Sequence, residues 1–263
     1  MKLVVSGADY AMTDSITDGC LKAIRDGILT DVGIMVNNDC TVRAVEEIKK
    51  YPHVSISMDI NLVSGKPVSN PNDVLSLVNS EGRFLTSTER KEIGLQEQFN
   101  YEEVYLETEN QIKKFIELFN KKPIVLNPHS FGTPNSFRAM KELAKKYEIM
   151  LSMELFQDSR IKIPDGWYPT PIMGPRGIYT IEQQANTNVI KAIIEDKEKL
   201  LNYNYVLMLT HCGYCDGELI DMSSYNVIRG KEVQALCSKE VRGWINANNV
   251  ELINLGQLIN EVY

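Results

Sequence analysis

A chain of 263 residues fits one α/β barrel or at most two small domains. Its 43% hydrophobic and 24% charged residues are an ordinary globular composition, which excludes a disordered or fibrous chain. Lys+Arg 28 against Asp+Glu 35 leaves a net charge of −7, a poor match to nucleic acid, whose phosphates call for a basic face.

The chain opens directly on a strand, residues 2–8, with none of the apolar length of a secretory leader. A helical period over 15–26 puts Ile16, Leu21 and Ile24 on one face and stops at Gly27. A strand at 32–36 follows, then a helix at 40–50 ending before Pro52, then a strand at 54–58. The next stretch breaks this rhythm with Pro67, Pro71 and polar runs, and reads as a lid or substrate loop inserted around 62–107. Beyond it come a helix at 109–120, a strand at 124–126 and a helix at 135–147 opened by Pro134. A strand at 149–153 and a Pro-rich irregular stretch at 166–176 precede a long helix at 180–200. A strand at 205–209, a helix at 231–246 and a strand at 250–255 complete the pattern.

Near-continuous Val/Ile/Leu/Met strands are expected of parallel strands covered on both faces. Repeated β-α units of this kind build either an open doubly wound sheet or a barrel. No linker divides 1–263, so a single domain is expected. No apolar run approaches the roughly 18 residues needed to cross a bilayer. Five cysteines, at 20, 40, 212, 215 and 237, point to a reducing cytoplasm and not to a disulfide framework.

The informative feature is what ends each strand: Asp9, Asn37-Asn38, Asp59 with Asn61, Asn127 with His129, Glu154, and His211. In a parallel sheet or barrel these ends share one face, where active sites lie. Asp9, Asp59 and His129 drawn together would set two carboxylates against each other. A divalent cation relieves that conflict and supplies an electrophile whose bound water ionises near neutral pH. Two carboxylates and an imidazole suit Mg²⁺ or Mn²⁺ and admit Zn²⁺. The plainer alternative is that each residue caps a loop amide. Of three histidines, His53 reads as a surface turn residue. His129 and His211 each follow an apolar strand and precede a Gly-containing turn, where an imidazole can exchange a proton at neutral pH. Cys212-Gly213-Tyr214-Cys215 is a lone Cys-x-x-Cys, open to a redox or zinc reading but without a second pair.

Taken together, several stretches resemble the YdjC-like carbohydrate deacetylases. Ser6-Gly7-Ala8-Asp9-Tyr10-Ala11-Met12-Thr13 is similar to that family's Asn-Ala-Asp-Asp-Phe-Gly-Leu-Ser start. Residues 27–37, 65–68, 76–84 and Glu107 with Gln111-Ile112 follow in the family's order. His211-Cys212-Gly213-Tyr214 resembles its His-Pro-Gly-Tyr, and Tyr225, Arg229 and Glu232 match its Tyr-x3-Arg-x2-Glu. The resemblance implies an irregular (β/α) TIM-like barrel of mostly parallel strands. It implies a divalent metal ion, Mg²⁺ first with Zn²⁺ or Mn²⁺ as alternatives, and hydrolysis of an N-acetyl group on an amino sugar or short oligosaccharide.

By the same resemblance Asp9 is the general base, His129 a metal ligand, and His211 the group that protonates the leaving amine or steadies the oxyanion. Tyr10 stands where the family has its second aspartate, and Asp59 where it has a histidine. The two changes preserve total charge, which describes a rearranged ligand set of Asp9, Asp59 and His129. Asn61, Arg160 and Tyr214 are the expected substrate contacts, with Arg176 a further candidate for sugar hydroxyls or phosphate. The expected partner is a small carbohydrate, with no nucleic acid and no membrane, and a homodimer is allowed. Two rival readings are a hydrolase or isomerase acting on a phosphorylated disaccharide, prompted by the ligand changes, and a non-catalytic sugar-binding relative, prompted by Tyr10.

Overall fold

The computed structural model describes residues 1–94, 96–164 and 180–263. Among these, eight strands run parallel in one sheet: β1 (Lys2–Tyr10), β2 (Asp31–Ile34), β3 (Ser55–Ile60), β4 (Val125–Pro128), β5 (Met150–Leu151), β6 (Ile161–Lys162), β7 (Tyr205–Thr210) and β8 (Glu251–Leu252). Their order is β5-β4-β3-β2-β1-β7-β6, with β8 beside the first residues of β1. That is the cyclic order of a barrel whose seam, between β5 and β6, is unpaired among the described residues. The irregular barrel is therefore the fold, in the form of a curled half-barrel.

Alternate residues of each strand face opposite sides. On the outer face Leu3, Val5, Val32, Ile34, Ile56, Met58, Leu126, Val206 and Met208 pack beneath the helices. On the inner face the composition changes along the strands. At their N-terminal ends Val4, Val125 and Leu207 pack with Leu255, Leu258 and Val262 of the helix Leu255–Val262, which plugs the barrel. Burying each such side chain is worth roughly 1.5–3 kcal/mol. One layer up, Asp31 accepts hydrogen bonds from Ser6 (2.6 Å), Ser55 (2.6 Å) and Ser57 (3.0 Å). Above this layer lie the strand ends that carry chemistry.

Several element boundaries differ from those the sequence predicts, each for a local reason. The helix expected over 109–120 spans Tyr101–Phe119, because Asn100 caps it by accepting from the Glu102 and Glu103 amides. The helix expected over 180–200 is two, Ile181–Asn186 and Val189–Glu195, since the Asn188 side chain caps the second. That over 231–246 is also two, Val227–Leu236 and Lys239–Ala247, with Ser238 capping the latter. The strand at 149–153 shrinks to β5 because Ser152 opens a helix, and that at 250–255 to β8 because Leu255 opens another.

The long insertion is anchored from beneath. Buried Glu107 accepts from the Val68 and Ser69 amides, and buried Arg90 donates to the Ser76 and Leu77 carbonyls. The irregular stretch 166–176, with Arg176, lies outside the described residues. Among the described residues no helix is long and apolar enough to cross a membrane.

Candidate active site

The floor of the site is set by an irregularity in β1. Its pairing with β2 slips between Gly7 and Tyr10, and Asp9 takes a left-handed backbone with φ 65°. Strict alternation from Val5 and Gly7 would turn Asp9 outward under the helices. The bulge re-aims it to the mouth of the barrel. Tyr10 turns outward instead, and its hydroxyl donates to the Ala44 carbonyl at 2.8 Å. A left-handed backbone costs an aspartate on the order of 1–2 kcal/mol, and two contacts hold it. The Asp9 amide donates to Asp59 Oδ2 at 2.8 Å, and Asp59 Oδ1 accepts from Asn127 Nδ2 at 2.9 Å. Gly33 makes room for this clamp, since a Cβ there would stand 2.2 Å from Asp59 Oδ1.

The Asp9 carboxylate is buried between a guanidinium and an imidazole. Arg229 donates to Oδ2 at 2.7 Å, and His129 Nδ1 lies 2.8 Å from Oδ1. Apart from this contact Oδ1 has no polar partner among the described residues. Burial alone would raise the Asp9 pKa, but His129 and Arg229 outweigh it and hold the carboxyl well below the usual range. Asp59 differs. Burial and the neighbouring Asp9 charge push it up to about 6, against the hydrogen bonds it accepts. For His129 burial opposes protonation, but Asp9 and Asp59 prevail and raise its pKa. For His211 burial wins and lowers it. At neutral pH the site thus holds an ionised Asp9, a cationic Arg229 and a neutral His211.

His211 is steadied through its backbone. Its amide donates to Glu232 Oε2 at 2.6 Å, and its carbonyl accepts from Arg229 at 3.2 Å. Tyr225 closes the unit: its hydroxyl donates to Glu232 Oε1 at 2.6 Å and its ring meets the His211 ring edge-on at 5.3 Å. Above these groups opens a cleft of about 490 Å³, lined by Asp9, His129, His211, Tyr225 and Arg229 below and by Arg83, Phe84 and Lys91 of the insertion above.

Asp9, His129 and His211, predicted from three distant strand ends, therefore meet in one cleft. Asp59 lies behind Asp9 with both oxygens hydrogen-bonded. The three expected substrate contacts fall elsewhere. Asn61 is fully buried and its side chain binds Asn37, the Ser64 carbonyl and the Val63 amide. Arg160 lies just before β6, which pairs with the N-terminal end of β7, opposite to His211, and it binds Asp158 and the Val262 carbonyl. Tyr214 is exposed and outside the cleft lining. The Cys-x-x-Cys residues part company: Cys212 is buried, 3.8 Å from Cys20 Sγ, and Cys215 is exposed. In the sequence Arg229 stands out only as part of the Tyr225, Arg229, Glu232 motif. Its spacing from Tyr225 and Glu232, four and three residues, was the available sign that the three act together.

Asp9 Oδ1, buried and 2.8 Å from an imidazole nitrogen with no other polar partner among the described residues, offers with that nitrogen an edge of two donors to a cation when the imidazole is neutral. Among the described residues no group of three His, Cys, Asp or Glu side chains converges to hold a metal. Two protein donors suit an ion such as Mg²⁺ that keeps several waters, more than a closed tetrahedral Zn²⁺ site.

A parallel barrel with a carboxylate and two imidazoles at its strand ends belongs to the class of α/β-barrel proteins with an active site at the C-terminal face. A family model described as YdjC-like protein matches residues 2–247, and the chain belongs to that family. It is 31% identical over 257 residues to "Carbohydrate deacetylase 2" of Listeria innocua serovar 6a, covering 97% of each chain. It is 28% identical over 250 residues to "Carbohydrate deacetylase" of Oceanobacillus iheyensis, covering 93% of this chain and all of that one. The fold is shared with the crystal structure of a "putative cellobiose-phosphate cleavage protein" from Enterococcus faecalis V583. The TM-score is 0.75 at 22% identity, over 98% of both chains.

Proposed function

We propose that this chain is a carbohydrate N-deacetylase, hydrolysing the acetamido group of an amino sugar or short oligosaccharide. The observation that carries the reading is an ionised carboxylate, Asp9, buried beside His129 and Arg229 on the floor of a cleft roomy enough for a sugar. Relatives matched over almost the whole chain and named carbohydrate deacetylases support it.

In this reading Asp9 takes the proton of the attacking water, and Arg229 keeps it ionised and aimed. His211, neutral at rest, donates a hydrogen bond to the tetrahedral oxyanion, and the proton that Asp9 took from water is passed on, through His211 once it has accepted it, to the departing amine as the C–N bond breaks. One such stabilising group is worth roughly 10²–10³ in rate. A divalent ion, Mg²⁺ first with Mn²⁺ or Zn²⁺ as alternatives, would be held by Asp9 Oδ1 and His129, with Asp59 acting through Asp9. Bound there, such an ion polarises a carbonyl and acidifies water. The reading places the enzyme in the cytoplasm, acting on soluble sugars.

The test is acetate release from N-acetylglucosamine and its oligomers by the pure protein, with and without prior chelation. One acetate per new amine is expected, with activity reduced by chelation and restored by Mg²⁺. No acetate from any chain length contradicts the reading.

A second reading has its own observation. Arg83 and Lys91 overhang the cleft and make no ion pair among the described residues, so a phosphorylated disaccharide would find two free cations there. Release of acetate from phosphorylated and plain substrates at equal rates by wild type and Arg83→Ala counts against it.

A further inference from the structure

We propose that Gln184 is a positioning residue, a buried amide on an outer helix that holds Arg229 in register with Asp9 and His211. This role rests on the deacetylase reading, in which those two residues are base and acid. Gln184 lies in the helix Ile181–Asn186, is fully buried and stands outside the cleft lining, so it acts only through the groups it binds.

Three of its contacts go to one short segment, residues 224–228. Nε2 donates to the Ser224 carbonyl at 2.8 Å, and Oε1 accepts from the amides of Asn226 at 2.9 Å and Ile228 at 3.2 Å. The other Nε2 contact, to the Thr180 carbonyl at 3.3 Å, stays within its own helix turn. A side-chain amide has two donor hydrogens and two acceptor lone pairs, so these four contacts use its whole capacity. The segment opens the helix Val227–Leu236, which carries Arg229 and Glu232. The first N–H groups of a helix have no partner within it, and the residue before the helix usually satisfies the second or third with its side chain. Here that residue, Asn226, spends Oδ1 on the next amide, Val227, at 2.7 Å and Nδ2 on the Ser223 carbonyl at 2.8 Å. The Ile228 amide is left to Gln184, so a residue of another helix completes the cap and fixes where this one begins. Lys231 adds a second tie between the same regions, donating to the Thr187 carbonyl at 2.9 Å.

Arg229 follows the clamped Ile228 amide directly. Its Nε donates to the Tyr225 carbonyl at 2.7 Å, inside the clamped segment, while its other nitrogens bind the His211 carbonyl and Asp9 Oδ2. The guanidinium is a rigid planar fork, so a tilt at the start of the helix moves all three contacts together. Gln184 therefore reaches the base and the acid through one arginine, without touching either.

Two readouts on the whole protein test the proposal, the side-chain Nε–H resonance of Arg229 and acetate release from N-acetylglucosamine oligomers. In wild type that Nε–H, buried and bonded to the Tyr225 carbonyl, should give a distinct, slowly exchanging NMR signal. Gln184→Met fills the same space and bonds to none of the three backbone groups, so it should shift the signal and speed its exchange on the order of tenfold. Turnover should fall on the order of 10²-fold, the effect of a small misplacement, but by less than about twofold further in an Arg229→Lys background. Gln184→Glu removes only the donor to Ser224 and serves if Gln184→Met does not fold; its Arg229 signal should shift by less, but measurably. An unmoved Arg229 signal in either variant, or equal fold losses of turnover in both backgrounds, overturns the positioning role. Arg229 signals that shift as stated, in a wild type that releases no acetate from any oligomer, sink the deacetylase reading alone.

Discussion

Two buried carboxylates in this barrel, Asp9 at its mouth and Asp31 in its middle layer, have opposite electrostatic fates. Both are lost to solvent. Asp31 meets only hydroxyls, and burial pushes it up to about 6 despite three hydrogen bonds. Asp9 meets Arg229 and His129, which hold it well below the ordinary range. Hydroxyl dipoles therefore do not offset desolvation here, and full charges do. The middle layer is a polar spacer between the apolar plug and the mouth. Asp31 ionises only near pH 6, at a cost in stability, whereas Asp9 stays ionised far into acid and faces the cleft, where it can serve as a base.

Breaking the pairing at the mouth should have the largest effect. Arg229→Met leaves Asp9 buried opposite an apolar side chain, and at pH 7 should cost about 3–5 kcal/mol. Because the depressed Asp9 pKa stabilises wild type above about pH 4 and loses this effect as pH falls, the deficit should shrink in acid. Urea denaturation at pH 7 and at successive values below about pH 4 reads it, and a pH-independent deficit across that range would show that packing, not charge, is what Arg229 supplies.

Relieving the middle layer should act with opposite sign. The raised Asp31 pKa gives stability that is present below about pH 4 and lost as pH climbs through about 6. Asp31→Asn escapes that loss. Between pH 4 and pH 7 thermal denaturation should shift in favour of the variant by up to about 3 kcal/mol. A constant gap would mean that Asp31 titrates alike folded and unfolded.

Gly33→Ala sharpens the account of how Asp9 is aimed. The added methyl collides with Asp59, which holds the Asp9 amide. Overpacking should cost about 1–3 kcal/mol. Turnover should fall with little change in KM, because the cleft walls are untouched. Unaltered turnover would show that the Asp59 clamp does not position Asp9.

Much of this site was legible because polar residues directly follow apolar runs. Asp9, His129 and His211 each end a strand, and parallel topology carries strand ends to one face. The bulge at Asp9 was not legible, because an alternating pattern shows no slip when the residues involved, Ala8 to Tyr10, suit either face. Asn61 resembled a site residue for the same reason as Asp9, yet its amide is occupied in closing the turn to Val63. The helix breaks at Asn188 and Ser238 were hidden because each sits within a continuing helical period. The open seam of the sheet depends on β5 and β6, two strands of two residues each, too short for any pattern.

The most direct test compares the two carboxylates in one assay, measuring acetate release from N-acetylglucosamine oligomers by Asp9→Asn and Asp31→Asn, each confirmed folded by circular dichroism. The account predicts a loss of roughly 10²–10⁴ for Asp9→Asn, the usual worth of a general base, and near wild-type rates for Asp31→Asn. Near wild-type turnover by Asp9→Asn, or an equal loss in both variants, would contradict it.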